Sequence, residues 1–226
     1  MRFMKYYFIL FFLYFSLLNS NAQQSFDSSY LSSYYTHKVT QFKSLPNSEH
    51  EIIFLGDSIT DIAEWGELFG NMHVKNRGIS TDNTFGVIAR LDEIVDSKPE
   101  MIFLMIGIND LAKKIPDNIL VINIQRIVEI IQHESPKTKI ILQSILPTNN
   151  EFPEFMGYQN NDKHIQYVNE QLQNFCAKEH LFFVNLYPRF LDENNKLSKQ
   201  FTYDGLHLNG AGYMLWKEVL IDYKLM

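Results

Sequence analysis

Short apolar runs alternate with amphipathic stretches along most of the chain. Four short runs are rich in Ile, Leu, Phe and Val, and a fifth is weaker. Glycine ends or follows two of the five runs. Runs of this length and composition indicate buried strands. They predict strands at Glu51–Gly56, Met72–Asn76, Met101–Ile106, Ile140–Ser144 and Phe182–Asn185.

The stretches between these runs carry apolar residues at helical spacing. Two such faces are Phe85, Ile88, Leu91 and Val95, and Val168, Leu172 and Phe175. A further helix is predicted at 29–43, ended by Leu45 and Pro46. Strands that alternate with helices predict an α/β fold, a three-layer α/β/α sandwich with a central parallel five-stranded sheet. In such folds the functional site lies beyond the carboxyl ends of the strands.

The first residues have the features of an export signal. Arg2 and Lys5 precede an apolar run of about 13 residues, and small residues follow it up to Ala22. This pattern predicts a signal peptide at 1–22, with 23–226 as a single domain in a periplasmic or extracellular location. The alternative is a membrane anchor, but the run is short against the ~20 residues that span a bilayer.

The composition of the chain argues against a nucleic-acid partner, an internal disulfide and a bound metal. The chain has 226 residues, 46% hydrophobic and 20% charged, with a formal charge of −6. These values suit a folded domain and give no basic surface for nucleic acid. The one cysteine, Cys176, excludes an internal disulfide and lies in a helical pattern that indicates core packing. The histidines outside the site described below lack metal-ligand spacing, so no metal is expected.

Residues suited to acyl transfer follow three of the predicted strands. Ser58 comes after the first strand, Gly78 after the second and Asn109 after the third. A serine at a strand-to-helix turn presents its hydroxyl and its backbone N–H at one edge, as a nucleophile in acyl transfer requires. Structural alternatives stay open: a turn or helix cap for Ser58 and Asn109, and a plain turn for Gly78.

Asp204 and His207 lie between the last predicted strand and the final helical stretch. A carboxylate on one imidazole nitrogen fixes the tautomer and leaves the other nitrogen to accept the serine proton. The alternative is a surface turn with an incidental Asp–His pair. The coincidence of a serine, a glycine, an asparagine and this pair at strand ends favours a serine hydrolase.

Four blocks of the sequence resemble those of the SGNH hydrolases, also called the GDSL esterase/lipase family. They are GDSIT (56–60), NRGIS (76–80), GIND (107–110) and DGLH (204–207). The resemblance extends roughly from Tyr34 to Trp216. Many members of that family carry a glycine soon after the second block, where this chain has Thr81.

The resemblance implies a role for each site residue and a fold. It implies a flavodoxin-like strand order, no metal and no organic cofactor. Ser58 is then the nucleophile, His207 the base and Asp204 the residue that orients the base. The oxyanion hole is implied to consist of the backbone N–H groups of Ser58 and Gly78 and the side chain of Asn109.

The substrate is indicated only by a branch of the family. Residues 103–111 resemble the sialate O-acetylesterase-like or platelet-activating-factor acetylhydrolase-like branch. This implies a small-molecule or glycan ester with a short acyl group, acetyl above all, on sugars such as sialic acid.

A long polar and aromatic segment, Pro147–Asn161, follows the fourth predicted strand. We expect Phe152, Phe155 and Tyr158 to line or cover the alcohol side of the substrate, the alternative being an ordinary surface loop. Trp65 is expected either to wall the same pocket or to pack in the core.

Two other functions are compatible with this sequence. A lysophospholipase or thioesterase would act on longer acyl chains and would need a long apolar groove. A non-catalytic carbohydrate-binding module would keep the fold without turnover. The complete set of Ser58, Asn109, Asp204 and His207 argues against the second alternative, because a protein without turnover is free to lose any of them.

Overall fold

Five parallel strands form the sheet of the computed structural model, which describes residues 28–226. The predicted signal peptide, 1–22, lies outside the described residues. The strands are β1 Ile52–Gly56, β2 Val74–Gly78, β3 Met101–Met105, β4 Lys139–Gln143 and β5 Phe182–Val184. They lie in the order β2-β1-β3-β4-β5, and every neighbouring pair is parallel. This order confirms the expected flavodoxin-like sheet.

Helices connect the strands and flank the sheet. The α-helices are α1 Ser33–Ser44, α2 Ser58–Asp61, α3 Trp65–Phe69, α4 Thr84–Ala89, α5 Leu91–Asp96, α6 Ile108–Ala112, α7 Asp117–Glu134, α8 Asp162–Lys178 and α9 Gly210–Asp222. Two short 3₁₀ helices span Met156–Tyr158 and Tyr187–Phe190. Within residues 28–226, no helix combines the length and the apolar character needed to cross a membrane.

The strands are buried on both faces of the sheet. Ile53, Phe54 and Leu55 of β1 are each at most 1% exposed. Because successive side chains of a strand point to opposite faces, burial of all three requires packing on both sides. The Phe54 ring stacks on Trp65 at 3.9 Å and on Phe103 of β3 at 4.7 Å between ring centroids. The continuous apolar runs of the sequence therefore reflect a sheet covered by helices on both faces.

Several element bounds differ from the sequence prediction. The first helix, predicted at 29–43, spans Ser33–Ser44. Strand β2 begins and ends two residues later than predicted, at Val74 and Gly78. The helix predicted across 85–95 is divided between α4 and α5 at Arg90. The side chain of Arg90 is fully buried and bonds to Asp82 and to the carbonyl of Arg77. The break thus occurs where a buried guanidinium ties the helical segment to the end of β2.

Candidate active site

Ser58 lies at the carboxyl edge of the sheet, as the first residue of α2 after β1. Asp57 caps this helix by accepting a hydrogen bond from the Ile59 N–H at 3.0 Å. The hydroxyl of Tyr213 in α9 donates to the carbonyl of Ile59 at 2.7 Å. These contacts hold the start of α2, so that the half-buried Ser58 has a defined position.

His207 and Asp204 lie beside Ser58. The Nε2 atom of His207 is 2.9 Å from Ser58 Oγ, and its Nδ1 atom is 2.7 Å from Asp204 Oδ2. His207 and Asp204 are 7% and 5% exposed. Because a carboxylate only accepts hydrogen bonds, Nδ1 carries the proton and Nε2 is left to accept the proton of the serine hydroxyl. This is the arrangement that activates a serine for attack on a carbonyl.

The turn that carries Asp204 and His207 is fixed by backbone contacts. Asp204 Oδ1 accepts hydrogen bonds from the N–H groups of Leu206 at 2.9 Å and His207 at 2.7 Å. Gly205 has φ +81°, and a Cβ there would lie 2.4 Å from the Asn149 carbonyl oxygen. The turn therefore requires glycine at this position for both conformation and space. The close approach of Gly205 to Asn149 also brings the loop after β4 next to the site.

Asn109 extends its side chain from the first turn of α6 towards residue 82. Its Nδ2 donates to the Asp82 carbonyl at 2.7 Å, and its Oδ1 accepts from the hydroxyl of Tyr158 at 2.9 Å. An amide nitrogen has two protons. One proton is therefore used on Asp82, and the second is available to a negatively charged oxygen.

The expectation for the Gly78 N–H is corrected by the structure. This N–H donates to Oδ1 of Asn76 at 2.8 Å, so it is already occupied. Glycine is needed at this position for space: a Cβ would lie 2.1 Å from the backbone nitrogen of Asp61 and 2.5 Å from its Cα. Gly78 thus allows the end of β2 to lie directly against the helix of Ser58.

Thr81 supplies the free N–H in the same loop. Within the described residues, the N–H groups of Ser58 and Thr81 have no hydrogen-bond partner. The backbone N–H groups of the neighbouring residues all donate hydrogen bonds. Their acceptors are Gly56 O for Ile79, Asp61 Oδ2 for Ser80, Ile79 O for Asp82, Asp82 Oδ1 for Asn83 and the Asp110 carboxylate for Thr84. Thr81 has φ +69°, which is rare for a β-branched residue and indicates local strain. Sequence analysis noted Thr81 as a departure from the family and missed its N–H.

Asp61 joins three parts of the structure around the site. Its carboxylate accepts hydrogen bonds from Tyr34 and Lys38 of α1, each at 2.7 Å. It also accepts from the Ser80 N–H at 3.1 Å and from the Ser80 hydroxyl at 2.8 Å. These hydrogen bonds hold the pKa of Asp61 below its usual value although burial opposes them. The charged carboxylate therefore fixes the loop of Thr81 relative to the helix of Ser58.

Three buried carboxyls lie next to the site residues. Burial raises the pKa of Asp57 to about 7, with nearby Asp82 and Asp110 adding to the effect. Burial likewise raises the pKa of Asp110 to about 7, against hydrogen bonds from Thr84. The pKa of Asp82 rises to about 6 for the same reason, although Arg90 opposes the shift. The backbone around the site is thus supported by acids whose charge depends on pH near neutrality.

The aromatic residues predicted to line the pocket have different surroundings. The Phe155 ring contacts the His207 ring edge-on at 4.9 Å between centroids, and Phe155 is 42% exposed. Phe152 packs over Gly205. Trp65 is 1% exposed and donates to the Thr60 carbonyl, so it belongs to the core and the pocket-wall interpretation is corrected. Tyr158 is half-buried and contacts Asn109, a contact that sequence analysis missed.

Among the residues that the structure describes, no group of three or more His, Cys, Asp or Glu side chains is arranged to hold a metal ion. Cys176 is buried in α8, and burial raises the pKa of its thiol to about 12. A thiol with so high a pKa is a poor nucleophile at neutral pH.

The chain is similar in sequence to a family of hydrolases and to individual members of it. The family model described as GDSL-like lipase/acylhydrolase matches residues 54–215, well over half of the chain. Platelet-activating factor acetylhydrolase IB subunit alpha2 of Rattus norvegicus is 30% identical over 174 residues, which cover 74% of this chain and 72% of that protein.

Two solved structures share both the fold and part of the sequence. A candidate platelet activating factor from Streptococcus pneumonia is 32% identical with a TM-score of 0.78, covering 84% of this chain and 92% of the other. A GDSL-like lipase from Bacteroides thetaiotaomicron is 25% identical with a TM-score of 0.73, covering 84% and 96%.

Proposed function

The chain belongs to the GDSL-like lipase/acylhydrolase family of carboxylic ester hydrolases, and we propose that it removes short acyl groups, acetyl above all, through Ser58, His207 and Asp204. The observation that carries this proposal is the continuous chain of contacts from Asp204 Oδ2 to His207 Nδ1 at 2.7 Å and from His207 Nε2 to Ser58 Oγ at 2.9 Å. A serine in contact with an oriented imidazole whose nitrogen can accept its proton is an activated nucleophile.

The proposed reaction has two similar halves. Ser58 Oγ attacks the ester carbonyl carbon while its proton passes to His207 Nε2, which gives a tetrahedral oxyanion. The oxyanion collapses, the bond to the alcohol oxygen breaks, and His207 protonates the departing alcohol. Water then attacks the acyl-serine with His207 again as base, and a second collapse releases the carboxylic acid and free Ser58.

Three donors are proposed to stabilise the oxyanion. They are the unoccupied N–H groups of Ser58 and Thr81 and the second Nδ2 proton of Asn109. Asn109 and Thr81 are linked, since the Asn109 amide bonds to the carbonyl of Asp82, the residue after Thr81. Removal of one such donor typically costs about 3 kcal/mol of transition-state stabilisation. Thr81 therefore replaces Gly78 as the proposed backbone donor from this loop.

The proposal of acetyl as the acyl group rests on relatives. The curated relative from Rattus norvegicus is named as an acetylhydrolase. The resemblance of residues 103–111 to the acetylesterase-like branch favours O-acetyl groups on sugars, sialic acid among them. The alcohol side would then be a small molecule or a glycan.

One observation favours longer acyl chains as a second candidate. A mainly apolar hollow of about 560 Å³ lies between α2–α3 and the start of α9, with Ile62, Leu68, Tyr213 and Met214 among its lining residues. Ile62 follows Ser58 by one helical turn, and Tyr213 bonds to the carbonyl of Ile59. In this second candidate function, the hollow would hold the acyl chain of an ester bound at Ser58.

Hydrolysis of p-nitrophenyl acetate, butyrate and octanoate by the purified protein separates the two candidates. We expect kcat/KM to be highest for acetate and to fall with chain length. A maximum at octanoate would transfer the proposal to the longer-chain activity. Release of acetate from O-acetylated sialic acid and from acetylated xylan then tests the sugar preference.

We also propose that residues 1–22 direct export and are removed. Expression of the full chain in a secreting bacterial host, followed by N-terminal sequencing of the exported protein, tests this. A mature terminus near Gln23 is expected, whereas retention of Met1 on the purified protein would contradict it.

A further inference from the structure

The side chain of Tyr158, in the 147–161 loop, forms a hydrogen bond with the proposed oxyanion hole. Its hydroxyl donates to Asn109 Oδ1 at 2.9 Å. We propose that Tyr158 is a positioning residue: it fixes the orientation of the Asn109 amide, and it does so from a loop that sequence reasoning assigned to substrate contact. This inference rests on the proposed esterase function.

The contacts of Asn109 leave one amide orientation possible. Oδ1 accepts from Tyr158, and one Nδ2 proton is donated to the Asp82 carbonyl at 2.7 Å. A rotation of the amide by 180° would set Oδ1 against the Asp82 carbonyl oxygen, where two acceptors repel each other, and Tyr158 would have to accept a proton from Nδ2 instead of donating one to Oδ1. The Asp82 carbonyl therefore selects this orientation, the Tyr158 hydroxyl holds the amide oxygen in it, and the second Nδ2 proton points in a single direction. A donor fixed in this way needs no reorganisation when the oxyanion forms.

The hydrogen bond from Tyr158 also strengthens the donor. Hydrogen bonds in series polarise one another, so a proton donated to the amide oxygen makes the amide N–H a better donor. The pair is shielded from water, because Asn109 is 2% exposed and Tyr158 is half-buried. Burial also raises the pKa of Tyr158, which keeps its hydroxyl protonated as a donor near neutral pH.

The loop is built to hold Tyr158 in place. Gln159 Nε2 donates to the carbonyls of Phe152 at 2.7 Å and Glu154 at 2.9 Å, and Asn161 Nδ2 donates to the Tyr158 carbonyl at 3.1 Å. The ring of Phe155 lies between Tyr158 and His207, with centroid distances of 5.8 Å and 4.9 Å. One loop therefore contacts both the residue proposed as base and the residue proposed as oxyanion donor.

Separate rates of acylation and deacylation distinguish positioning from substrate contact. The alcohol has departed before deacylation, whereas both steps pass through an oxyanion. In the Tyr158→Phe variant, pre-steady-state hydrolysis of p-nitrophenyl acetate is expected to show both steps slowed by the same factor, about three- to tenfold, with the dissociation constant of the ester unchanged. Tyr167→Phe, an exposed tyrosine on α8, is the matched control and should keep wild-type rates.

A double-mutant cycle identifies Asn109 as the residue through which Tyr158 acts. Asn109→Ala alone should lower kcat about a hundredfold. Adding Tyr158→Phe to it should change neither step further, because there is no amide left to position. Slowing of acylation alone, a weaker ester affinity, or the same three- to tenfold loss in the Asn109→Ala background would overturn the inference.

Two controls complete the design. Equal melting temperatures of wild type and Tyr158→Phe show that the loss is local. If the wild type turns over through Ser58 and Tyr158→Phe matches it in both steps, this inference fails alone. If the wild type has no Ser58-dependent turnover, the proposed function fails with it.

Discussion

Asp204 holds His207 at two points, through its ring and through its backbone. Oδ2 of Asp204 is 2.7 Å from His207 Nδ1, and Oδ1 accepts the His207 N–H at 2.7 Å. The short spacing of the two residues makes both contacts possible within a single turn. The carboxylate therefore sets the position of the His207 ring as well as its tautomer.

Asp204→Asn separates these two functions. The amide oxygen can replace Oδ1 on the two backbone N–H groups, but the NH₂ group then faces Nδ1 and favours the wrong tautomer. We expect kcat for p-nitrophenyl acetate to fall on the order of 10³–10⁴-fold. A melting temperature near that of the wild type would show that the turn persists. Loss of less than tenfold would remove Asp204 from the proposed triad.

Gly78→Ala tests the close approach of β2 to the helix of Ser58. The added Cβ would lie 2.1 Å from the Asp61 nitrogen, and backbone on both sides has to move. We expect the free energy of unfolding to fall by about 3 kcal/mol in urea denaturation. Gly210→Ala is the matched control, because a Cβ there meets nothing within 4 Å. Equal stabilities of the two variants would contradict the packing described here.

Thr81→Gly tests the assignment of the backbone donor. Glycine adopts φ +69° without strain and keeps the N–H. We expect kcat to stay within about threefold of wild type and the free energy of unfolding to rise by up to about 1 kcal/mol, since relief of strain outweighs the greater freedom of the unfolded chain. Steady-state kinetics and urea denaturation measure both. A hundredfold loss of kcat would show that the threonine side chain, and not its N–H, is needed.

Asp57→Asn tests the raised pKa of the buried carboxyl group that precedes Ser58. Its pKa is raised from 3.8 to about 7 in the folded protein, so the folded state binds the proton more tightly than the unfolded state. Between those pH values this group makes the wild type less stable as pH rises. The asparagine can still accept from Ile59 and lacks this pH dependence.

The stability of Asp57→Asn relative to wild type should therefore increase from pH 4 to pH 8. The increase could reach about 4 kcal/mol, at about 1.4 kcal/mol for each pKa unit. Urea denaturation across this range measures it. Parallel stability curves for the two proteins would show that Asp57 does not titrate differently on folding.

Much of the site could be predicted because a parallel sheet brings the carboxyl ends of its strands to one edge. Ser58 and Asn109 lie shortly after the ends of β1 and β3, and these strands are neighbours in the sheet. Their proximity therefore follows from the strand pattern and the doubly wound topology. The pair Asp204 and His207 was recognisable from its spacing.

The parts that could not be predicted depend on local backbone direction and loop folding. Gly78 and Thr81 are three residues apart, and only the hydrogen-bond partners of the loop show which N–H is occupied. Trp65 is equally apolar in a pocket wall or in a core, so sequence could not place it. The contact of Tyr158 with Asn109 joins residues 49 apart through a loop with no periodic pattern.

Reaction of the purified protein with a fluorophosphonate, followed by peptide mass spectrometry, tests the central claim most directly. A fluorophosphonate phosphonylates a serine that an adjacent base activates, with loss of fluoride. We expect one adduct, on Ser58, absent in Ser58→Ala and retained in Ser198→Ala, with p-nitrophenyl acetate hydrolysis lost in step with labelling. Undiminished hydrolysis by Ser58→Ala, or an adduct on another residue at the same rate, would contradict Ser58 as the nucleophile.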